Sequence, residues 1–544
     1  MARADNPFPM LPESGLPSRR VELLVLLVVW LFFLILALRV LGPDSVYTNF
    51  TSDCAIPILM ANDERPVTVF DTYYYAADRY GGWPFLIAKV LHQNAGLHWS
   101  DQTLHYAKTT WIFFGLLILA ALNARAAPAV LATGLIALCF EPTSRRLMFD
   151  LGQLYAWQLP PLLLAWFCLR RLLAQRHRSD EATTVRKQKI FWGASFYLSA
   201  FFAIWSSVAS AALLVVLVTL EALRSHFVFK NAIKRRIRVA VVLLLAATAS
   251  EYLMKMNYHR HSFKHFGNDF KTGMALDFGY LHENLLTNWH NVVQFSFFPL
   301  IVVALCFVVG AAGLILYARL TGKGMTRVIS LFEDETVMMI VALTAMAAMN
   351  FLVTISVNHV RLSFYNVRFH ALTYLFGAIS GLLTVYLAIR VLANRMVVTR
   401  PVVPLVLVCA FIWLGVKFPP RLLSEAYKLD RQTALALSQK APRSLLMGGY
   451  WETYLFAGLQ PTNTMTPLPV EGVLNRTPWT TAMLNDSRQV VIEYRNSGIV
   501  QNDSLPPDEL RQYGNLLRLQ EARFYENGPY AFALYYNEGS KPPK

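Results

Sequence analysis

Long apolar runs separated by short polar segments dominate the chain from residue 21 to residue 418. The first run, 21–41, is wholly apolar between Leu23 and Leu38 and matches the ~20 residues that an α-helix needs to cross a bilayer. Ten further runs follow, at about 107–124, 126–141, 151–169, 190–207, 208–223, 239–256, 293–317, 336–356, 370–389 and 402–418. The pattern predicts an all-α polytopic membrane domain of about eleven transmembrane helices within 21–418.

The charged residues of the loops predict how these helices are oriented. Arg19 and Arg20 stand directly before the first run, and positive charge marks the cytoplasmic side of short loops. Every second loop is rich in cations, at Arg125, 170–189, 224–238, 319–327 and 390–400. We therefore expect a cytoplasmic tail at 1–20 and an extracytoplasmic loop at 43–105. Its 73–91 portion mixes aromatic and polar residues, which predicts one or two amphipathic helices on the membrane surface.

The chain changes character after the last run and becomes ordinary mixed-charge sequence at 419–544. Alternating segments at 489–494 and 531–536 predict strands, and the stretches 420–440 and 508–520 predict helices. A small α/β domain is expected here. An odd number of spans places it on the extracytoplasmic side, together with the first loop.

The composition agrees with a membrane protein and excludes several functions. The chain is 55% hydrophobic and 15% charged, against roughly 25% charged in soluble domains. The net charge of +16 lies mainly in short loops that meet anionic lipid, so we expect membrane lipids rather than nucleic acid as partners. The five cysteines are scattered, so neither a disulfide framework nor a metal cluster is expected. The chain also has no phosphate loop, no dinucleotide fingerprint and no H-E-x-x-H motif.

Carboxylates are concentrated in the first extracytoplasmic loop, between residues 49 and 85, and Asp53 follows closely on the first helix. Later loops on the same predicted side contain cations that the orientation rule disfavours there, at Arg145, Arg146, His259, Arg260, Lys264, Arg361 and Arg368. Such cations suggest an anionic ligand; the alternative is that they bind lipid headgroups or pair with local acids. A polyprenyl-phosphate sugar would present its phosphate at this membrane surface. Its transfer needs one carboxylate as a base and fixed cations for the departing phosphate.

The order of these parts resembles the GT-C superfamily of membrane glycosyltransferases. More closely, three stretches resemble a bacterial group of large GT-C-type membrane proteins: SDCAIPILMAND at 52–63 followed by FDTYYYAADRYGGWPF at 70–85, FYNVRF at 364–369, and GGYWETYLFAGLQP at 448–461. The resemblance implies a GT-C-like membrane domain with a catalytic carboxylate in the first extracytoplasmic loop, and a C-terminal extracytoplasmic domain.

By position, the resemblance implies that Asp53 is the general base and that Arg368 contacts the donor phosphate. From the loop charges, we expect Arg361 and the other loop cations to help hold that phosphate. Phe369 stands where a tyrosine is more usual. Contacts to the acceptor or sugar are expected from five residues: Asp71, Tyr74, Trp83, Tyr450 and Trp451.

Each of these assignments has a structural alternative. Asp53 would instead cap a helix beginning near Ala55, and Asp71 would cap the next helix and pair with a cation. Tyr74 and Trp83 would belong to an interfacial aromatic belt. Tyr450 and Trp451 would pack in a core.

The sequence thus indicates an inverting glycosyltransferase of a bacterial inner membrane. It would move a sugar from a polyprenyl-phosphate donor to a glycan, lipid or protein acceptor. No cofactor is required, and a divalent metal is compatible with the scheme. Two alternatives stay open. A transporter or flippase of a lipid-linked precursor would predict internally similar halves, which the sequence lacks. A non-catalytic assembly subunit would not need Asp53.

Overall fold

The structure is a computed structural model. It describes residues 50–75, 77–139, 147–174, 182–229, 233–266, 278–322, 324–357, 367–393, 424–460, 465–497, 499 and 505–539, with isolated helical positions between 24 and 38. Helices make up most of the chain up to residue 393. In order they are α1 (Ser52–Ala61), α2 (Trp83–Ala95), α3 (Asp101–Leu122), α4 (Ala127–Cys139), α5 (Leu159–Ala174), α6 (Ala182–Ser206), α7 (Ala209–Phe229), α8 (Ile233–Phe266), α9 (Phe278–Val293), α10 (Phe298–Thr321), α11 (Met325–Glu333), α12 (Glu335–Ile355) and α13 (Ala371–Ala393).

Among the described residues, six helices are long and apolar enough to cross a membrane: α3, α7, α8, α10, α12 and α13. The protein is therefore a multi-pass membrane protein. Every apolar run predicted between residues 107 and 389 contains a helix. The total of eleven spans stays a prediction, because the run at 402–418 lies outside the described residues.

The spanning helices differ in how much of their surface the protein covers. The apolar window of α10 is only 11% buried inside the protein, whereas that of α13 is 67% buried. A helix that is apolar all round and uncovered by protein suits a lipid environment. The buried α13 packs against α12 and α10, and it holds the turn that carries Arg368 in place.

The first loop differs from its prediction. Instead of surface helices throughout 73–91, it forms a short antiparallel hairpin, β1 (Tyr73–Tyr74) with β2 (Ala77–Gly81), and then α2. Gly81 and Gly82 join the two. An added Cβ would lie 2.2 Å from the Trp205 carbonyl oxygen at Gly81 and 2.5 Å from that of Asp71 at Gly82. The backbone here packs too closely for any side chain, which holds the hairpin against α6.

The C-terminal part is a mixed sheet with helices. Its elements are α14 (Glu425–Lys440), β3 (Leu445–Gly448), α15 (Tyr450–Gly458), β4 (Thr466–Pro469), α16 (Thr480–Asp486), β5 (Gln489–Glu493), β6 (Glu509–Gln512), β7 (Asn515–Asn527) and β8 (Tyr530–Asn537). The strand order is β4-β3-β5-β8-β7-β6. β3 pairs in parallel with β4 and β5, and the remaining pairs are antiparallel. The α/β character and the two predicted strands are confirmed.

The helix predicted at 508–520 is wrong, because this segment forms β6 and the start of β7. Tyr513 and Gly514 join the two strands with φ values of 50° and 77°. Two successive positive φ angles make the tight turn that matches the twist of a hairpin. The turn residues therefore decided the structure, rather than the polar pattern.

The C-terminal part packs directly on the first loop through α15 and α1. An added Cβ on Gly458 would lie 2.5 Å from the Cβ of Ala55, so small residues allow the two helices to approach closely. A second contact joins α14 to α3, where the Tyr427 hydroxyl donates a hydrogen bond to Asp101. These contacts place the start of α15 beside Asp53.

Candidate active site

Asp53 lies in the first turn of α1, with its side chain 23% exposed. The helix begins at Ser52 rather than near Ala55. Its N-cap is Thr51, and no side-chain capping hydrogen bond is present there within the described residues. The capping alternative for Asp53 is therefore wrong. Its Oδ1 accepts a hydrogen bond from the Tyr450 hydroxyl at 3.2 Å, and its backbone oxygen accepts one from the Tyr74 hydroxyl at 2.9 Å.

Two arginines from separate parts of the chain face the two oxygens of Asp53. Arg368 Nη1 is 4.0 Å from Oδ2, and Arg476 Nη2 is 3.9 Å from Oδ1. Arg368 comes from a 3₁₀ turn, Val367–His370, directly before α13. Arg476 comes from the segment between β4 and α16. One negative and two positive charges leave a net positive site, which suits an anionic ligand.

Arg476 was not among the site residues predicted from the sequence. Its side chain is 12% exposed; Nη1 donates to the Tyr75 carbonyl at 3.2 Å and the backbone N–H donates to the Tyr454 hydroxyl at 2.7 Å. Burial alone would lower the pKa of the guanidinium, but Tyr450, Tyr74 and Asp53 around it raise that pKa, so Arg476 stays cationic. The only sequence signal was its place in a domain predicted to share a side with Asp53.

A buried network behind α1 fixes the direction of Asp53. The Cys54 thiol donates to Asp150 Oδ1 at 2.8 Å, and the buried Lys108 ammonium donates to the carbonyls of Asp150 and Gln153. Burial and the Asp150 carboxylate raise the pKa of Cys54, which therefore stays a thiol. An added Cβ on Gly152 would lie 2.8 Å from the Asp53 carbonyl carbon. The loop before α5 thus packs directly against the first turn of α1.

Asp71 has a different environment. It is buried, one oxygen pairs with Lys89 Nζ at 2.9 Å, and the other accepts from the Thr68 N–H at 2.7 Å in a capping box. Lys89 also pairs with Asp63 at 2.7 Å. Both oxygens of Asp71 are occupied by donors from the protein. The capping and ion-pair alternative therefore describes Asp71, rather than a contact with sugar.

The predicted aromatic contacts divide into two groups. Tyr74 is buried and holds the backbone of Asp53, and Trp83 is buried with its Nε1 donating to Ser206 Oγ at 2.7 Å. Trp451 is 55% exposed, and its ring centroid is 5.0 Å from that of Tyr450. Of the aromatic residues predicted from sequence, Tyr450 and Trp451 thus form the accessible pair beside Asp53.

The predicted cations are only partly described. Arg368 lies at the site. His259 and Arg260 lie near the C-terminal end of α8, where Arg260 is exposed. Arg145, Arg146, Arg361 and the side chain of Lys264 lie outside the described part of the chain. Within that part, no group of three or more His, Cys, Asp or Glu side chains could hold a metal ion.

Two solved membrane proteins match over most of the chain. The oligosaccharyltransferase of Archaeoglobus fulgidus, in the apo form, matches at 12% identity over 88% of this chain and 70% of that chain, with a TM-score of 0.48. A second structure of it, AglB in complex with an inhibitory peptide and a dolichol-phosphate, matches with a TM-score of 0.45. ArnT from Cupriavidus metallidurans bound to undecaprenyl phosphate matches at 13% identity over 96% of this chain and 99% of that chain, with a TM-score of 0.34.

The structures of these neighbours include complexes with a dolichol-phosphate and with undecaprenyl phosphate. A further structure of the archaeal protein is a complex with Zn and sulfate. No protein-family model and no curated protein match the chain. At these identities and TM-scores, the likeness assigns no role to any residue of this chain.

Proposed function

We propose that the protein is an inverting glycosyltransferase that moves a sugar from a polyprenyl-phosphate donor to an acceptor hydroxyl. One observation carries the proposal: a partly exposed carboxylate, Asp53, lies between two arginines 3.9 and 4.0 Å away. Sugar transfer from a phosphate donor needs a carboxylate as the base and cations that hold the departing phosphate, and this site contains both.

In the proposed reaction, Asp53 accepts the proton of the acceptor hydroxyl as its oxygen attacks the anomeric carbon of the sugar. The bond between that carbon and the phosphate oxygen breaks, and its electron pair leaves with the polyprenyl phosphate. Attack from the face opposite the phosphate inverts the anomeric centre. Asp53 then returns its proton to water. General-base catalysis of this kind contributes typically ~10²–10⁴-fold.

Arg368 is the proposed ligand of the departing phosphate. A guanidinium presents paired N–H donors that match phosphate oxygens, and its charge offsets the charge that develops on the leaving group. Further candidate ligands of the same phosphate are the other loop cations: Arg361, His259, Arg260, Lys264, Arg145 and Arg146. We assign the acceptor to the side of Trp451 and Tyr450, since the exposed Trp451 ring beside the half-buried Tyr450 offers a surface on which a sugar ring can stack.

We place this chemistry on the extracytoplasmic side, because the loop charges orient the first helix outward. Single cysteines at Ser504 and Ser179, treated with an impermeant thiol reagent in intact cells, test the topology. Residue 504 should react and residue 179 should not. Labelling at 179 would contradict both the orientation and the number of spans.

The donor is tested in two steps. Mass spectrometry of lipids that co-purify with the protein should detect a polyprenyl-phosphate hexose or pentose. The matching radiolabelled lipid, added with membrane extract as acceptor source, should lose its sugar to the acceptor and leave polyprenyl phosphate. Movement of the intact lipid across the bilayer without sugar transfer would indicate a transporter instead. Absence of both activities would favour an assembly subunit.

A further inference from the structure

Arg476 makes few contacts for a buried cation. Within the described part of the chain, its side chain donates one hydrogen bond, from Nη1 to the Tyr75 carbonyl, and its buried Nε has no hydrogen-bond partner. An arginine has five N–H donors, and burying a charged group without satisfying it is costly. The guanidinium is instead flanked by aromatic rings, with Tyr450 and Tyr74 centroids 5.5 and 5.8 Å from its central carbon.

Asp53 fits poorly as the permanent partner of these cations. Both arginine–carboxylate distances lie near 4 Å, beyond the 2.7–2.9 Å of a charge-assisted hydrogen bond. By contrast, the ion pairs of Lys89 in the same loop measure 2.7 and 2.9 Å. At this site, two guanidinium groups face one carboxylate. Each arginine nitrogen is about 1 Å farther from its carboxylate oxygen than in a charge-assisted hydrogen bond. A group with more oxygens and more negative charge than a carboxylate could bind both guanidinium groups at hydrogen-bonding distance.

We propose that Arg476 is a second ligand of the donor phosphate and that Asp53 occupies the place of that phosphate when no donor is bound. This inference rests on the function proposed above. The arriving phosphate takes both guanidinium groups and releases Asp53, which then has an oxygen available for the acceptor proton. The C-terminal domain, which supplies Arg476 and Tyr450, is thereby part of the donor site.

Binding of polyprenyl phosphate to the full chain in nanodiscs tests this inference without any need for turnover. Native mass spectrometry gives the affinity, and the polyprenol of the same chain length, which lacks the phosphate, is the control ligand. Arg476→Gln should bind polyprenyl phosphate at least about tenfold more weakly, as expected for a lost hydrogen bond to a charged group. Its affinity for polyprenol should equal that of the wild type.

Asp53→Asn should change the affinity for polyprenyl phosphate in the opposite direction. Removing the competing carboxylate should tighten binding of polyprenyl phosphate by about fivefold, the order expected when a unit charge at about 4 Å is removed in a water-like medium. Arg476→Lys should recover part of the affinity. Arg523→Gln removes a 74% exposed arginine of the same domain and should bind as the wild type does.

The outcomes separate this inference from the proposed function. Unchanged phosphate affinity in Arg476→Gln, or weaker binding in Asp53→Asn, would overturn the inference while leaving Asp53 as a base. An equal loss of affinity for phosphate and polyprenol in Arg476→Gln would also overturn it, since that pattern signals a structural role. Phosphate-dependent binding with both predicted signs but without sugar transfer would sustain the phosphate site and refute the glycosyltransferase.

Discussion

The first loop contains two clusters of charged groups that differ in how tightly they are closed. Around Lys89, the carboxylate of Asp71 is buried and that of Asp63 is 12% exposed, and their ion pairs with Lys89 measure 2.9 and 2.7 Å. Around Asp53, the nearest cations among the described residues are 3.9 and 4.0 Å away, and the carboxylate is 23% exposed. The three carboxylates belong to one stretch of sequence, whereas the cations beside Asp53 come from distant parts of the chain.

The difference separates a structural carboxylate from one that can react. Asp71 has both oxygens saturated by donors of the protein, so it holds the loop together and has none to offer a substrate. Asp53 has a neutral hydroxyl and two distant cations, so a ligand can replace its partners at low cost. Burial and hydrogen-bond saturation, rather than residue type, therefore distinguish the two acids.

The largest expected effect on stability comes from opening the closed cluster. Lys89→Met leaves Asp71 buried without its cation, while Asp63 keeps an ion pair with Arg65 at 2.6 Å. Breaking a buried ion pair costs about 3–5 kcal/mol. We expect a large drop in the melting temperature of the purified protein. The control Lys428→Met removes an exposed i,i+3 pair with Glu425 and should leave that temperature almost unchanged. Equal melting temperatures for the two variants would remove the distinction between the clusters.

The open cluster should respond in activity instead. Arg368→Ala should reduce sugar transfer by about tenfold or more through weaker use of the donor, with little change in melting temperature. Arg368→Lys should recover only part, because an ammonium lacks the planar fork. Arg390→Ala, near the other end of α13 and 42% exposed, is the matched control. A folded Arg368→Ala protein with the native transfer rate would refute the phosphate assignment.

A smaller effect is expected from moving Asp53 without changing it. Gly152→Ala would place a methyl group 2.8–2.9 Å from backbone and Cβ atoms of Asp53, so the first turn of α1 must shift. We expect transfer to fall by about tenfold, since a misplacement of about 1 Å can cost ~10²-fold. Gly193→Ala on α6 meets only Leu243 at 3.6 Å and should be neutral. Full activity in Gly152→Ala would mean that the position of Asp53 is not critical.

Glu493 differs from both Asp53 and Asp71. It is a buried carboxylate whose hydrogen bonds come from the backbone and side-chain amides of Asn496. Burial raises its pKa from 4.5 to about 7. The folded protein therefore holds this proton over a range in which the unfolded chain has lost it. Stability should fall as pH rises from about 4.5 through about 7.

Glu493→Gln should flatten this pH dependence of the melting temperature, and Glu521→Gln, at an exposed position, should retain it. A melting temperature of Glu493→Gln that falls with pH as steeply as the wild type would rule out Glu493 as its source.

The sequence predicted the parts of the molecule that depend on local pattern. Apolar length located the helices, and alternation located β5 and β8. It failed at 508–520, where a turn with two positive φ angles overrode a polar pattern, and at 73–81, where close backbone packing on Trp205 produced a hairpin. Arg476 could not be found, because its position beside Asp53 arises from the packing of α15 on α1, between residues some 400 positions apart.

Whether Asp53 is the general base is tested by measuring sugar transfer and melting temperature of Asp53→Asn, with Asp53→Ala and the exposed Glu64→Gln beside it. Asparagine keeps the shape of the side chain but removes the basic oxygen. We predict a loss of transfer of ~10²–10⁴-fold in Asp53→Asn with a nearly unchanged melting temperature, and native transfer in Glu64→Gln. Transfer at the native rate in a folded Asp53→Asn protein would contradict this prediction.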